Sequence, residues 1–466
     1  NIAISDVLFF KLLSRTAVEI RSKISLVGHD DTLGCCLEWL GERTTEQAGI
    51  CFDGYTSQEM KQAYSNITTI PRKSIQIKAR EIHAKGDGIC VLLELLDCVD
   101  GHIPELFLET SRRENIEEIA EKGSNFGWIG KVGRLVLTGC AVEALPGLKL
   151  HQENKMEELV LDAYTPGQVT EILRMEKNSI WVGRVKVLKL KRYAMQILPK
   201  LKLHGENELK ELSLNTYAPE YFGGITRTEN NSIWVGKVRV LKLGWYAVGI
   251  LPKLIIHDEN ELEELYLDSD NPKHIAGILR TENNSIWVGK VKTLRLKKHA
   301  IQILPKLGIH NENELEELSL YADNPKHITG MLKTENNSIW VGKVKTLRLK
   351  NHAIQILPKL RIHSENEMEE LYLVADKAEY ITEMIRIENN SVWVGKVKIL
   401  KLKRHAIQIF PKLKLHGENE LKEFGLSASN PGNIAEFLKT ENNSIWMGKV
   451  KVLKLGSYAV QILPKL

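Results

Sequence analysis

The chain has 466 residues, 43% of them hydrophobic, and 64 Lys and Arg against 59 Asp and Glu, for a formal charge of +5. That charge is small for the length and makes no general electrostatic case for a nucleic-acid partner. No run of about 18 apolar residues is present to span a membrane; VLFFKLL at 7–13 is too short and contains Lys11.

From the N-terminus, short apolar runs predict strands at IAI (2–4), ISL (24–26), ICF (50–52) and SIQIK (74–78), with a helix over 58–64. IPELFL at 103–108 lies 212 residues, four periods of 53, before LEELSL at 315–320. Residues 1–102 are therefore read as divergent copies of a later repeat, the alternative being a separate helical region. Residues 103–466 are read as a regular array cut at its C-terminal end, with further sequence expected beyond both ends of the chain. Cys35, Cys36, Cys51, Cys90, Cys98 and Cys140 all fall in the first third, with no C-x-x-C pair. A disulfide or zinc framework is not indicated, and a reducing, cytoplasmic compartment is expected.

The array is carried by Trp128, Trp181, Trp234, Trp287, Trp340, Trp393 and Trp446, each 53 residues from the next. ENNSIWVGKVKTLRLKNHAIQILPKL at 335–360 repeats 282–307 with one change, Asn351 for Lys298. Fixed-period self-similarity means stacked units that bury their apolar faces only against neighbours. Each period holds two leucine pairs, such as Leu294/Leu296 and Leu318/Leu320, spaced alternately 24 and 29 residues apart. Alternation in VKTLRL points Val291, Leu294 and Leu296 inward, as a short strand requires. AIQILPKL then turns the chain back, with Pro305 suited to a segment outside the sheet. In the longer unit Asn324 is a candidate N-cap, Pro325 the first helical residue, and Ile328, Met331 and Leu332 one face of a helix near 325–333.

VKTLRLKKHAI at 291–301 fits L-x-x-L-x-L-x-x-N-x-L with His299 at the Asn position, and the chain resembles the leucine-rich-repeat family over 103–466. The resemblance implies an α/β fold: a right-handed horseshoe solenoid with a concave parallel β-sheet and short convex helices. The family's hydrogen-bonding Asn or Cys is here Cys140, Tyr193, Tyr246, His299, His352, His405 and Tyr458, whose polar groups still allow a ladder. It further implies a protein-protein interaction scaffold with a protein partner on the concave face. The alternative is the sensing portion of a larger immune receptor of the NLR type, a part of innate immunity, or of a ubiquitin-ligase adaptor.

Basic strands (Lys292, Arg295, Lys297, Lys345, Arg348, Lys398, Lys401) alternate with acidic ones (Glu264, Glu317, Glu370, Glu423), and cross-strand pairs such as Lys292–Glu316 and Lys345–Glu369 are expected. Copies differ most at strand exits, where aromatic and Arg residues of the kind that dominate interfaces appear. Trp245, Tyr266, Arg295, Tyr321, Arg348 and Tyr372 are the candidate partner-binding residues. The periodic tryptophans are expected to fill the core, so that Trp287→Ala would cost about 3–5 kcal/mol. His151, His204, His257, His310, His363 and His416 recur at about 10 Å, too far apart to share a metal, and read as loop residues. Asn66, Asn230, Asn283, Asn336, Asn389 and Asn442 open N-x-S/T sequons, which arise readily and are copied by duplication. WVGKV offers no G-x-x-x-x-G-K-[ST] cradle, and no G-x-S-x-G, H-E-x-x-H or kinase set occurs, so neither catalysis nor a cofactor is expected.

Overall fold

The computed structural model describes residues 2–28 except 22, 50–97 except 53–55 and 72, 102–148 except 115 and 117–129, and 150–466 except 217, 227 and 443–447. Two compact units, Asn1–Lys237 and Val238–Leu466, divide the chain. Each is a repeat, solenoid-like α/β stack in which parallel strands alternate with helical turns.

In the first unit the early strands are present as Ile2–Ser5, Ile24–Val27, Ile50–Phe52 and Ile75–Lys78. The helix expected at 58–64 runs Ser57–Ile67, started by a capping box between Thr56 and Glu59. The first, second and fourth of these strands form a small parallel sheet. Ile50–Phe52 instead pairs with Glu81–Lys85, followed in order by His102–Thr110, Lys131–Gly139, Lys155–Ala163, Ile180–Arg192 and Glu208–Thr216.

In the second unit Val240–Gly244 opens a parallel sheet continued by Glu261–Ser269, Ile286–Lys298, Glu314–Ala322, Ile339–Asn351, Glu367–Ala375, Val392–Arg404, Glu423–Ala428 and Leu453–Ser457. Register stacks like on like: Leu265, Leu294, Leu318, Leu347, Leu371, Leu400 and Phe424 form one column, each with no exposed surface. The strands return through 3-10 turns such as His299–Lys306, which contains Pro305, and through Pro325–His327 leading into the helix Thr329–Leu332. Asn324 caps as its position suggests, its side chain accepting from the Lys326 amide.

Two features lie beyond the sequence reading. The basic strand of each period is 13 residues long and takes part in two sheets. Its first residues pair with a short third strand, as Ile286 with Leu307 and Trp287 with Gly308, and its later residues join the main sheet. The register shifts at Gly289, Gly342 and Gly395, all at positive φ. A Cβ at Gly289 would lie 2.5 Å from the Asn260 carbonyl oxygen, so the recurrent glycine of WVGK is a bulge that only glycine fits.

The second feature corrects the tryptophan expectation. In Ile286-Trp287-Val288 the outer two residues are buried and Trp287 is 42% exposed; Trp181, Trp234, Trp340 and Trp393 are half-buried. Period-two alternation gives the inward positions to Ile and Val and turns the indole outward, where it meets a histidine edge-on, as Trp287 meets His310 at 6.2 Å. Truncation of Trp287 therefore falls below the cost of a core aromatic. Trp128 and Trp446 lie outside the described residues.

The bulge leaves a backbone donor to be satisfied between the two pairings. Asn313, buried, accepts from the Val291 amide through Oδ1 at 2.7 Å and donates back to the Val291 carbonyl at 3.0 Å. Asn154, Asn207, Asn260, Asn366 and Asn419 likewise accept from the amides of Val132, Val185, Val238, Val344 and Val397, and Asn366 also donates back to the Val344 carbonyl at 3.1 Å. These are the asparagines of a recurrent H-x-E-N, a signal present at every period. Asn313→Leu keeps the volume and orphans the amide, and should cost about 1–3 kcal/mol. Native-state hydrogen exchange at the Val291 amide should quicken accordingly; unchanged exchange would show that the side chain does not carry this bond.

Strand exits are strained. Arg192, Trp245, Lys298, Asn351, Arg404 and Ser457 all adopt φ near +55°, with ψ of −130° at Lys298, a region that suits glycine. Gly139 occupies the corresponding place in the first unit. Lys298→Gly should raise stability by about 1 kcal/mol, since the strain relieved slightly exceeds the entropy glycine adds to the unfolded chain; urea melts of the two chains measure it.

Candidate functional site

The six candidate residues belong to the second unit, and register decides which come together. Tyr266, Arg295, Ser319, Arg348 and Tyr372 are successive partners on five adjacent strands. They form one row, symmetric about Ser319. Tyr321 stands two residues further along its strand, in the row Lys297, Tyr321, Lys350, Val374, Lys403; residues two apart share a face. Trp245 lies at the exit corner, φ +54°, where the alternation that would hold it on that face ends.

Two residues before the candidate row runs a row of carboxylates. Arg295 reaches Glu264 at 2.9 Å and Glu317 at 3.2 Å, Arg348 reaches Glu370 at 2.6 Å and Glu317 at 3.8 Å, and Lys401 reaches Glu370 at 3.1 Å and Glu423 at 3.8 Å. Lys454 closes the series on Glu423 at 2.7 Å. The first unit repeats the device with Glu105, Arg134, Glu158 and Lys189. Burial opposes the charge of Arg295, but hydrogen bonds and attraction from Glu317 and Glu264 hold its guanidinium more firmly protonated than usual. Each charge is thus shared between two opposite ones, so Arg295 and Arg348 meet a partner already neutralised.

At the start of the strands the expected pairing is shifted by one unit. Glu369 is paired with Lys398, on the following basic strand, rather than with Lys345. Burial and then Asp323 push the Tyr321 phenol above its ordinary range, and its hydroxyl lies 3.5 Å from Asp323 Oδ2. Cations face the rings of the row: Lys297 sits over Tyr266 at 5.0 Å, and Arg348 and Lys403 over Tyr372 at 5.3 and 5.2 Å.

The position of His299 recurs in every period without one uniform residue, and His299 and His352 lie 3.3 and 2.9 Å from Gln302 and Gln355. The side chains at this position pack ring on ring with those of the alternate units: Tyr193 with Tyr221, Tyr246 with His274, His299 with His327, and His352 with Tyr380, at 4.0–4.7 Å. The recurrent loop histidines behave as read from the sequence, with His310 Nδ1 accepting the Glu312 amide at 3.2 Å. Among the described residues no group of His, Cys, Asp and Glu is placed to hold a metal, and no helix is long and apolar enough to cross a membrane.

His274, His299, His327 and His352 are buried, and burial lowers the pKa of each, His327 to about 4. Above pH 6.5 these imidazoles are neutral folded or unfolded and contribute nothing to pH dependence. Below it the unfolded chain takes up protons that the folded chain refuses, so stability falls as the pH drops from about 6.5 towards 4. His327 alone should contribute roughly 3 kcal/mol of that loss. Urea midpoints should fall steeply between pH 6.5 and 4.5, and His327→Phe should flatten the slope; parallel curves would show that His327 does not drive it.

Compared with known family models, curated proteins and solved structures, the chain matches none.

Proposed function

We propose that the chain is a recognition scaffold of leucine-rich-repeat type, a right-handed horseshoe that binds a protein partner on the concave strand face of its second unit. The supporting observation is the row Tyr266, Arg295, Ser319, Arg348, Tyr372 on adjacent strands, with Tyr321 beside it. Aromatic and Arg side chains held on a rigid sheet contribute interface energy with little ordering cost. Six strands at about 4.8 Å cover about 25 Å, the scale of one standard interface. The function is binding, not catalysis, and the same face would serve the sensing portion of a larger immune receptor or ubiquitin-ligase adaptor.

For a partner isolated by affinity capture on the whole chain, Tyr321→Ala and Arg348→Ala should each weaken binding by more than about 1 kcal/mol. Dissociation should speed more than association slows. Lys333→Ala, at the end of the helix Thr329–Leu332, should leave the affinity unchanged. Calorimetry giving the opposite pattern would move the interface to the helical side.

A further inference from the structure

We infer that the strand-exit row of the second unit binds an acidic segment in polyproline II conformation, running across the strands with a carboxylate at every third residue. This rests on the strand-face reading above and names the occupant. At the start of the strands opposite charges on neighbouring strands pair, as Glu369 with Lys398, and the carboxylate row is neutralised by Arg295, Arg348 and Lys401 of the row beside it. The exit row differs. Its cations Lys297, Lys350 and Lys403 stand on every second strand, and the residues between them, Tyr321 and Val374, are uncharged. None of the three lysines has a carboxylate partner; Lys297 and Lys403 contact only the faces of Tyr266 and Tyr372, which order an ammonium without cancelling its charge.

The nearest acids are engaged elsewhere. Asp268, beside Lys297 in the register, lies 3.8 Å from Lys298 and accepts from the Tyr266 hydroxyl at 3.2 Å, Asp323 accepts from the Tyr321 hydroxyl at 3.5 Å, and Asp376 pairs with Arg404. The row is therefore a line of positive charge awaiting negative charge.

Spacing selects the conformation. Every second strand means about 9.6 Å between lysines. A β-strand returns a side chain to one face at about 6.7 or 13 Å, matching neither. A polyproline II helix does so every three residues, about 9.3 Å. Its intervening residues would fall on Tyr321 and Val374, half-buried surfaces of the apolar and aromatic kind that such helices dock against.

The test is fluorescence anisotropy of a labelled peptide of four Glu-Pro-Pro repeats titrated against the whole chain. A peptide of the same composition with its glutamates contiguous serves as comparison. The repeat peptide should bind about tenfold or more tightly than the block peptide, weaken with salt, and lose at least about tenfold with Lys350→Glu. Lys292→Glu, the same charge change at an exposed position near the strand start, should leave binding unchanged. No binding, equal binding of both peptides, or equal loss with Lys292→Glu would overturn the inference. Panning an unbiased peptide library separates it from the broader reading: enrichment of non-acidic sequences whose binding is lost with Tyr321→Ala overturns the acidic occupant and leaves the strand-face interface standing.

Discussion

Each repeat must solve one backbone problem. The strand that begins with Ile-Trp-Val-Gly changes partners midway, from a short side strand to the main sheet, and the change strands the amide two residues after the glycine. Asn313 and its equivalents close that gap with a buried carboxamide from the neighbouring unit. An unpaired amide in that interior would cost on the order of a hydrogen bond's full desolvation at every period. The bond also fixes register, because only one alignment of neighbouring units brings the asparagine opposite the orphan group. Leucine columns fill the space that this register creates.

With register fixed, charge follows. Carboxylates on one set of strands and guanidinium or ammonium groups on the other fall into a line in which Glu317 touches both Arg295 and Arg348. Such half-exposed pairs add little stability singly. Their effect is on the surface: they neutralise the middle of the sheet face and leave the uncancelled lysines further along. The same arginines that look like anchors in the sequence are held by the protein itself, while Lys297, Lys350 and Lys403 keep their charge for a partner.

The stacked rings at the recurrent position of His299 show another use of the same stratum. Imidazoles and phenols from alternate units fill a buried column where a uniform hydrogen-bonding residue would be expected. Filling it with neutral histidines couples packing to pH, because protonating any one of them brings a charge into a buried site.

By itself the sequence determined the period, the two main-sheet strands of each period, the inward leucines, the Asn324 cap and the alternation of charge, since all are local patterns or direct consequences of strand and helix periodicity. Even the outward tryptophans were legible, because Ile286 and Val288 flank Trp287 with the two inward positions. Tertiary structure alone decided matters of pairing between distant residues. Whether Glu369 meets Lys345 or Lys398 depends on side-chain reach across a bulged register. That Arg295 is shared between two carboxylates while Lys297 is shared with none depends on which residues of three strands stand side by side. The buried role of Asn313 depends on an orphan amide created by a glycine bulge 24 residues away, and no pattern within one strand contains that relation.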